Sequence, residues 1–199
     1  MMTALYGLIL CGGQSSRMGE DKSLLNYHGK QQRYHLADML QPFCEKVFIS
    51  CNKQQAEHVS PRYNLVVDNE KYSGIGPMAA LLSAFEKFPD HAFLAAGCDY
   101  PFLEKKHVQY LTDERTGLDD AVCYGHHETM MNEPLITIYE SSSFRKILKN
   151  FNEKKYSLRL FLHEANTCMI FPDNFDFLKN VNDIKTYQKA KELLTAKLN

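Results

Sequence analysis

The sequence predicts an α/β protein, a three-layer α/β/α sandwich built around a mostly parallel sheet. Two observations carry this. Seven short apolar runs alternate with segments whose apolar residues recur at helical spacing, and such alternation builds a parallel sheet covered by helices on both faces. Most of the runs are also continuously apolar, as expected of strands buried on both sides. The 199 residues contain no internal repeat, low-complexity stretch or linker, so residues 1–199 are expected to form a single domain.

The elements follow in chain order. Leu5 to Leu10 is an apolar run that passes straight into a glycine turn, as a first core strand does. Tyr34 to Phe43 is the next helical segment, followed by strands over Lys46 to Cys51 and Leu65 to Val67. Met78, Leu81, Leu82, Phe85 and Phe88 fall on one helix face at offsets 0, 3, 4, 7 and 10, and Pro77 suits the first turn of that helix. Strands are predicted over Ala92 to Ala96, Ala121 to Tyr124, Leu135 to Tyr139 and Cys168 to Phe171, with a helix over Ser141 to Phe151. Ile184, Tyr187, Ala190, Leu193 and Leu194 mark a last amphipathic helix.

Composition narrows the function classes. Lys plus Arg number 23 against 24 Asp plus Glu, a formal charge of −1, which leaves no electrostatic footprint for nucleic acid or an anionic membrane. With 44% hydrophobic and 24% charged residues the chain is ordinary for a soluble globular protein. No window holds about 18 consecutive apolar residues, so no membrane span is expected. Met1 to Leu5 has no cationic n-region and does not read as a signal peptide. The six cysteines form no C-x-x-C pair. They read as reduced, packed thiols of a cytoplasmic protein rather than as zinc ligands.

In open α/β sheets ligands bind beyond the carboxyl ends of the strands, which directs attention to the residues after Leu10 and after Ala96. After Leu10 comes Cys11-Gly12-Gly13-Gln14-Ser15-Ser16-Arg17-Met18-Gly19-Glu20-Asp21-Lys22. Bare glycine amides bind phosphate oxygens, and Arg17 and Lys22 supply neutralising charge. It is no Walker A loop, because Glu20 and Asp21 separate Gly19 from Lys22. Gly74-x-Gly76-x-x-Ala79 follows a polar stretch instead of a strand, so it is no dinucleotide fingerprint. Gly74, Gly76 and Pro77 instead let backbone approach a ligand at a helix N-terminus. Ala92 to Ala96 runs into Gly97-Cys98-Asp99-Tyr100-Pro101. Asp99 either holds Mg²⁺ opposite a phosphate loop or caps the turn before Pro101. The residues alone leave both open. His126-His127-Glu128 lacks the i, i+4 spacing of a helical metal pair and reads as a solvated loop. Ser157 has no His–Asp framework for a hydrolytic triad.

Together these motifs resemble a known family. Leu10-Cys11-Gly12-Gly13 through Arg17-Met18-Gly19-Glu20-Asp21-Lys22-Ser23-Leu24-Leu25 is similar to the opening signature of the molybdenum cofactor guanylyltransferases, the MobA family. Asp68, Gly76-Pro77-Met78-Ala79, Cys98-Asp99-Tyr100-Pro101-Phe102-Leu103, Pro134-Leu135 and Asn180-Val181-Asn182 resemble the family's later landmarks, so the likeness spans nearly the whole chain. Cys11 departs from the family's alanine, Ala80 from glycine and Gln31 from proline. Ser50 stands at the end of the second strand, where the family carries asparagine, with Asn52 close by.

The resemblance implies a Rossmann-like sheet of the nucleotide-diphospho-sugar transferase type and a Mg²⁺-dependent transfer. In it the terminal phosphate of molybdopterin attacks the α-phosphorus of GTP and pyrophosphate leaves. It implies that Leu10, Cys11, Gly12 and Gly13 hold the nucleotide phosphates, and that Arg17 and Lys22 stabilise shifting charge. Asp68 would contact the nucleoside, unless it only caps the turn after its strand, and Asp99 would hold the metal. Asn180 and Asn182 are assigned to the pterin, in a different half of the cleft from GTP; the alternative is that they cap the last helix. A transient contact with a cofactor-delivery protein or an acceptor molybdoenzyme belongs to the same expectation. A cytidylyltransferase, a sugar-1-phosphate nucleotidyltransferase and a non-catalytic nucleotide- or pterin-binding homologue are the competing readings.

Overall fold

The computed structural model describes residues 2–11 and 21–196. The chain runs β1 (Leu5–Leu10), α1 (Gln32–Leu40), β2 (Lys46–Cys51), the single turn α2 (Lys53–Ala56), β3 (Asn64–Val67), α3 (Pro77–Lys87) and β4 (Ala92–Gly97). It continues with α4 (Lys105–Asp113), β5 (Ala121–Gly125), β6 (Asn132–Tyr139), α5 (Ser143–Asn152), α6 (Leu158–Glu164), β7 (Thr167–Ile170) and α7 (Ile184–Ala196). Every predicted strand is present. The last ends at Ile170 rather than Phe171, because Phe171 precedes Pro172 and leaves the ladder. Helices α4 and α6 were not expected from periodicity.

The seven strands form one sheet in the order β3-β2-β1-β4-β6-β5-β7. Strand β1 pairs in parallel with β2 and β4, as do β2 with β3 and β5 with β7; β6 runs antiparallel to both its neighbours. Successive side chains of a strand point to opposite faces, so a continuous apolar run feeds two cores. On one face Ile9, Ile49, Leu94, Ala96 and Ile136 pack with Leu36 and Leu40 of α1 and Val108 and Leu111 of α4. On the other, Leu8, Phe48, Phe93, Ala95 and Tyr139 pack with Leu82 and Phe85 of α3, Ile147 of α5 and Phe161 of α6. A third cluster of Leu25, Tyr27, Val181, Ala190 and Leu194 seats α7 on the segment that follows Lys22. That seat matters to the site.

Cys11, Cys44, Cys51, Cys98 and Cys123 are buried free thiols and Cys168 is half-buried. Burial pushes the thiols of Cys44, Cys51 and Cys123 up to about 12, so they pack as small hydrophobes, as expected. Among the described residues no helix is long and apolar enough to cross a membrane.

Candidate functional site

Strands β1, β2, β3 and β4 all present their carboxyl ends to one edge of the sheet. The residues singled out in the sequence gather there, beginning on either side of the glycine segment. The Gln55 side chain, on α2, donates to the Cys11 carbonyl at 3.5 Å and to Asp21 Oδ2 at 2.6 Å. Gln55 is itself held by a reciprocal capping box with Asn52. Asp21 also accepts from Ser23 N at 2.9 Å, so its charge is spent on local hydrogen bonds before Lys22 emerges. Gly12, Gly13 and Arg17 lie outside the described residues.

Asp99 sits in the turn directly after β4. Gly97 makes room for it: a Cβ there would meet Asp99 Oδ1 at 2.6 Å. Burial pushes the Asp99 carboxyl up to about 6, the Lys22 charge draws it down, and Glu133 pushes it up again. Sequence reading missed Glu133. It enters β6 with 7% exposure and accepts a hydrogen bond from the Tyr100 hydroxyl at 2.5 Å. The available signal was a carboxylate at the entry of an apolar run, immediately before Pro134-Leu135.

The Asn180–Asn182 segment reaches the same place. Lys22 Nζ donates to Asn182 Oδ1 at 2.5 Å, Val181 N donates to the Asp99 carbonyl at 2.9 Å, and the Asn180 side chain hydrogen-bonds the Tyr100 hydroxyl. One alternative raised by the sequence is corrected here. Asn182 does not cap the last helix, because Asp183 does so, accepting from Thr186 N at 2.8 Å. The third apolar cluster draws α7 onto the Lys22 segment, which brings Asn182 against Lys22.

Asp68 continues β3, its N–H donating to the Cys51 carbonyl at 2.9 Å. Its carboxylate accepts from Ser50 Oγ at 2.5 Å, while burial pushes its pKa up and Ser50 opposes that shift. It opens onto a cavity of about 740 Å³, lined by Asn52, Asn69, Ser73, Gly74 and Gly76 among others. That volume falls in the ~300–1,000 Å³ range of small-molecule sites. Gly74 and Gly76 have φ of 83° and 67°, left-handed values that glycine adopts without strain, and Pro77 opens α3 beside them. His126 and His127 flank an exposed turn, stacked on Phe175 at 4.6 Å and tilted against Phe171 at 4.7 Å respectively. Among the described residues no group of three or more His, Cys, Asp or Glu side chains is placed to hold a metal.

A cationic side chain, a half-buried carboxylate and a nucleoside-sized cavity therefore share one sheet edge. The model of the MobA-like NTP transferase domain matches residues 7–168. The chain belongs to this MobA-like family. A molybdenum cofactor biosynthesis bifunctional protein of Synechocystis is 31% identical over 93% of the chain, which spans 53% of that protein, about half its length. A probable molybdenum cofactor guanylyltransferase of Bacillus cytotoxicus is 26% identical over 98% of this chain and 99% of its own. The crystal structure of molybdopterin-guanine dinucleotide biosynthesis protein A from Archaeoglobus fulgidus superposes with a TM-score of 0.79 at 21% identity, covering 96% of this chain and 99% of that one. The MobA-like fold is thus common to both, with the sheet edge described above as its carboxyl end.

Proposed function

We propose that this chain transfers GMP from GTP to the terminal phosphate of molybdopterin, forming molybdopterin guanine dinucleotide and pyrophosphate. The observation that carries the reading is the convergence of Lys22, Asp99 and the Asn180–Asn182 segment beside the Asp68 cavity. Relatives named as guanylyltransferases along the whole chain support it.

Phosphoryl transfer of this kind needs little covalent help from the protein; alignment and charge neutralisation dominate. Asp68 would orient the nucleoside and so fix where the triphosphate lies. Lys22, steadied by Asn182, would stabilise the charge that builds on the departing pyrophosphate. Arg17, Gly12 and Gly13, with Leu10 and Cys11 before them, complete the proposed phosphate cradle. The donor set fits Mg²⁺: a hard carboxylate oxygen, half-buried, its negative charge only partly answered by Lys22. Mg²⁺ usually takes one or two carboxylates plus substrate phosphates, so Asp99 alone suffices from the protein side. When bound, the ion would neutralise phosphate charge. Asn180 and Asn182 offer both donors and acceptors to a pterin's mixed edge.

Asp99→Asn is the test. It removes the charge and keeps the shape, so the fold should persist while transfer falls by several orders of magnitude, each ~1.4 kcal/mol being about tenfold in rate. Pyrophosphate release from GTP, CTP and ATP is measured with Mg²⁺ and molybdopterin present. Turnover within about threefold of the parent protein would remove Asp99 from the mechanism, and a preference for CTP would replace guanylyl by cytidylyl transfer.

A further inference from the structure

Strand β2 is apolar from Val47 to Cys51 except for Ser50, whose exposure is 0%. A buried hydroxyl is costly unless partnered, and its partner is Asp68, across the β2–β3 ladder in which Ser50 pairs with Val66 and Cys51 with Val67. Ser50 has a single proton, and it goes to Asp68 Oδ1. Among the described residues no other side chain donates to that carboxylate. Lys53, on the same cavity wall, is paired with Glu70 at 2.5 Å. An ionised carboxylate accepts only. Asp68 therefore meets the cavity as a fixed acceptor with one oxygen already committed.

We infer that Ser50 is a positioning residue for nucleotide selection: it locks Asp68 so that the remaining carboxylate oxygen takes a hydrogen-bond donor of the nucleoside. The inference rests on the reading of Asp68 as a nucleoside contact given above. Phosphate cannot be the occupant at this point, because it too is an anionic acceptor. The nucleoside brings the donor, an N–H of the guanine edge or a hydroxyl of the ribose.

The test compares KM for GTP and kcat in Ser50→Ala, Ser50→Cys, Ser50→Thr and Asp68→Asn, with direct GTP titration as a readout independent of turnover. Ser50→Cys keeps the volume and a weak donor, so a folding defect in the alanine variant leaves the question answerable. Losing a hydrogen bond to a charged group should raise KM about tenfold in the alanine and cysteine variants, with kcat changed far less. Ser50→Thr should restore the parent KM, and Ser50→Ala should add nothing in the Asp68→Asn background. Inosine triphosphate, 2′-deoxy-GTP and 3′-deoxy-GTP then name the donor: the analogue that is weak on the parent protein but no weaker than GTP on Asp68→Asn lacks it. A raised KM in Asp68→Asn with parent values in both Ser50→Ala and Ser50→Cys overturns the positioning role alone. An unchanged KM in Asp68→Asn overturns the reading of Asp68, and the inference with it.

Discussion

Lys22 shows what a single residue contributes here and how much of it is visible in sequence. A lysine closing a glycine-rich segment after a buried strand already predicts a phosphate contact. The sequence does not show that the ammonium is held by Asn182, 160 residues away, at 2.5 Å. Nor does it show that the carboxylate of Asp21, its neighbour, accepts hydrogen bonds from Gln55 and Ser23 N. Lys22→Ala should weaken GTP binding by about tenfold or more, the worth of one charge-assisted contact, and slow transfer further still. Its melting temperature should stay close to that of the parent, because the side chain reaches out of the core. Calorimetric titration with GTP beside a thermal melt decides it; parent affinity in the variant would take the phosphates elsewhere. Glu133, and the pairing of Ser50 with Asp68, escaped sequence reading for one reason. Each acts through a partner distant in the chain, Tyr100 or Asp68, and neither spacing nor composition encodes such a pairing.

At the level of elements, the strands were legible because each carries a dense apolar run, and β1 and β4 are buried at every position, although β3 and β7 are only partly buried. Helix α3 was legible because eight of its eleven residues are buried. Helix α4 has only two buried residues, Val108 and Leu111, too few to mark a face, and the short α6 interrupts its apolar residues with Arg159. Helix α7 was anticipated, but its cap was not. Asp183 accepts from Thr186 N at 2.8 Å and its own N–H donates to Thr186 Oγ1 at 3.2 Å, which fixes the angle at which α7 leaves the Asn180–Asn182 segment. Asp183→Ala leaves the Thr186 amide without its acceptor and weakens the start of α7. The melting temperature should fall by a few degrees, and kcat should fall severalfold because Asn182 no longer steadies Lys22. A loss of melting temperature with unchanged kcat would show that the segment keeps its place without the cap.

Across the whole molecule, the two edges of the sheet do different work, and two predictions separate them. Beside the ligand edge, His28 and His35 stack at 3.8 Å in the wall of a cavity of about 560 Å³ shared with Lys30, Asp38, Pro101 and Phe102. Burial, then the neighbouring His28 and Lys30, pull His35 down to about 4, against an opposing pull from Asp38. Between the ordinary imidazole value near 6.5 and about 4 the unfolded chain binds more protons than the folded one, so stability falls as pH drops through that window. Thermal melts from pH 7 to 4.5 should therefore slope less steeply in His35→Gln; parallel curves would remove His35 from the acid response. At the opposite edge, Arg115 forms a bidentate pair with Glu140, at 2.5 and 2.9 Å, and also donates to the Thr3 carbonyl at 2.8 Å. This ties the entry of β1 to the exits of α4 and β6. The two side chains are only 8% and 6% exposed, and removing one partner of a buried pair strands the other charge at a cost of about 3–5 kcal/mol. For a chain of this length that is on the order of 10 °C in melting temperature. Glu140→Ala should lose that much while keeping the parent KM and kcat well below its melting point, because the pair lies across the sheet from Asp99 and Lys22. Replacing both partners by apolar residues should recover part of the loss. A fall in kcat at low temperature in Glu140→Ala would instead mean that the two edges are mechanically coupled through β1 and β4, the strands that carry the chain from one to the other.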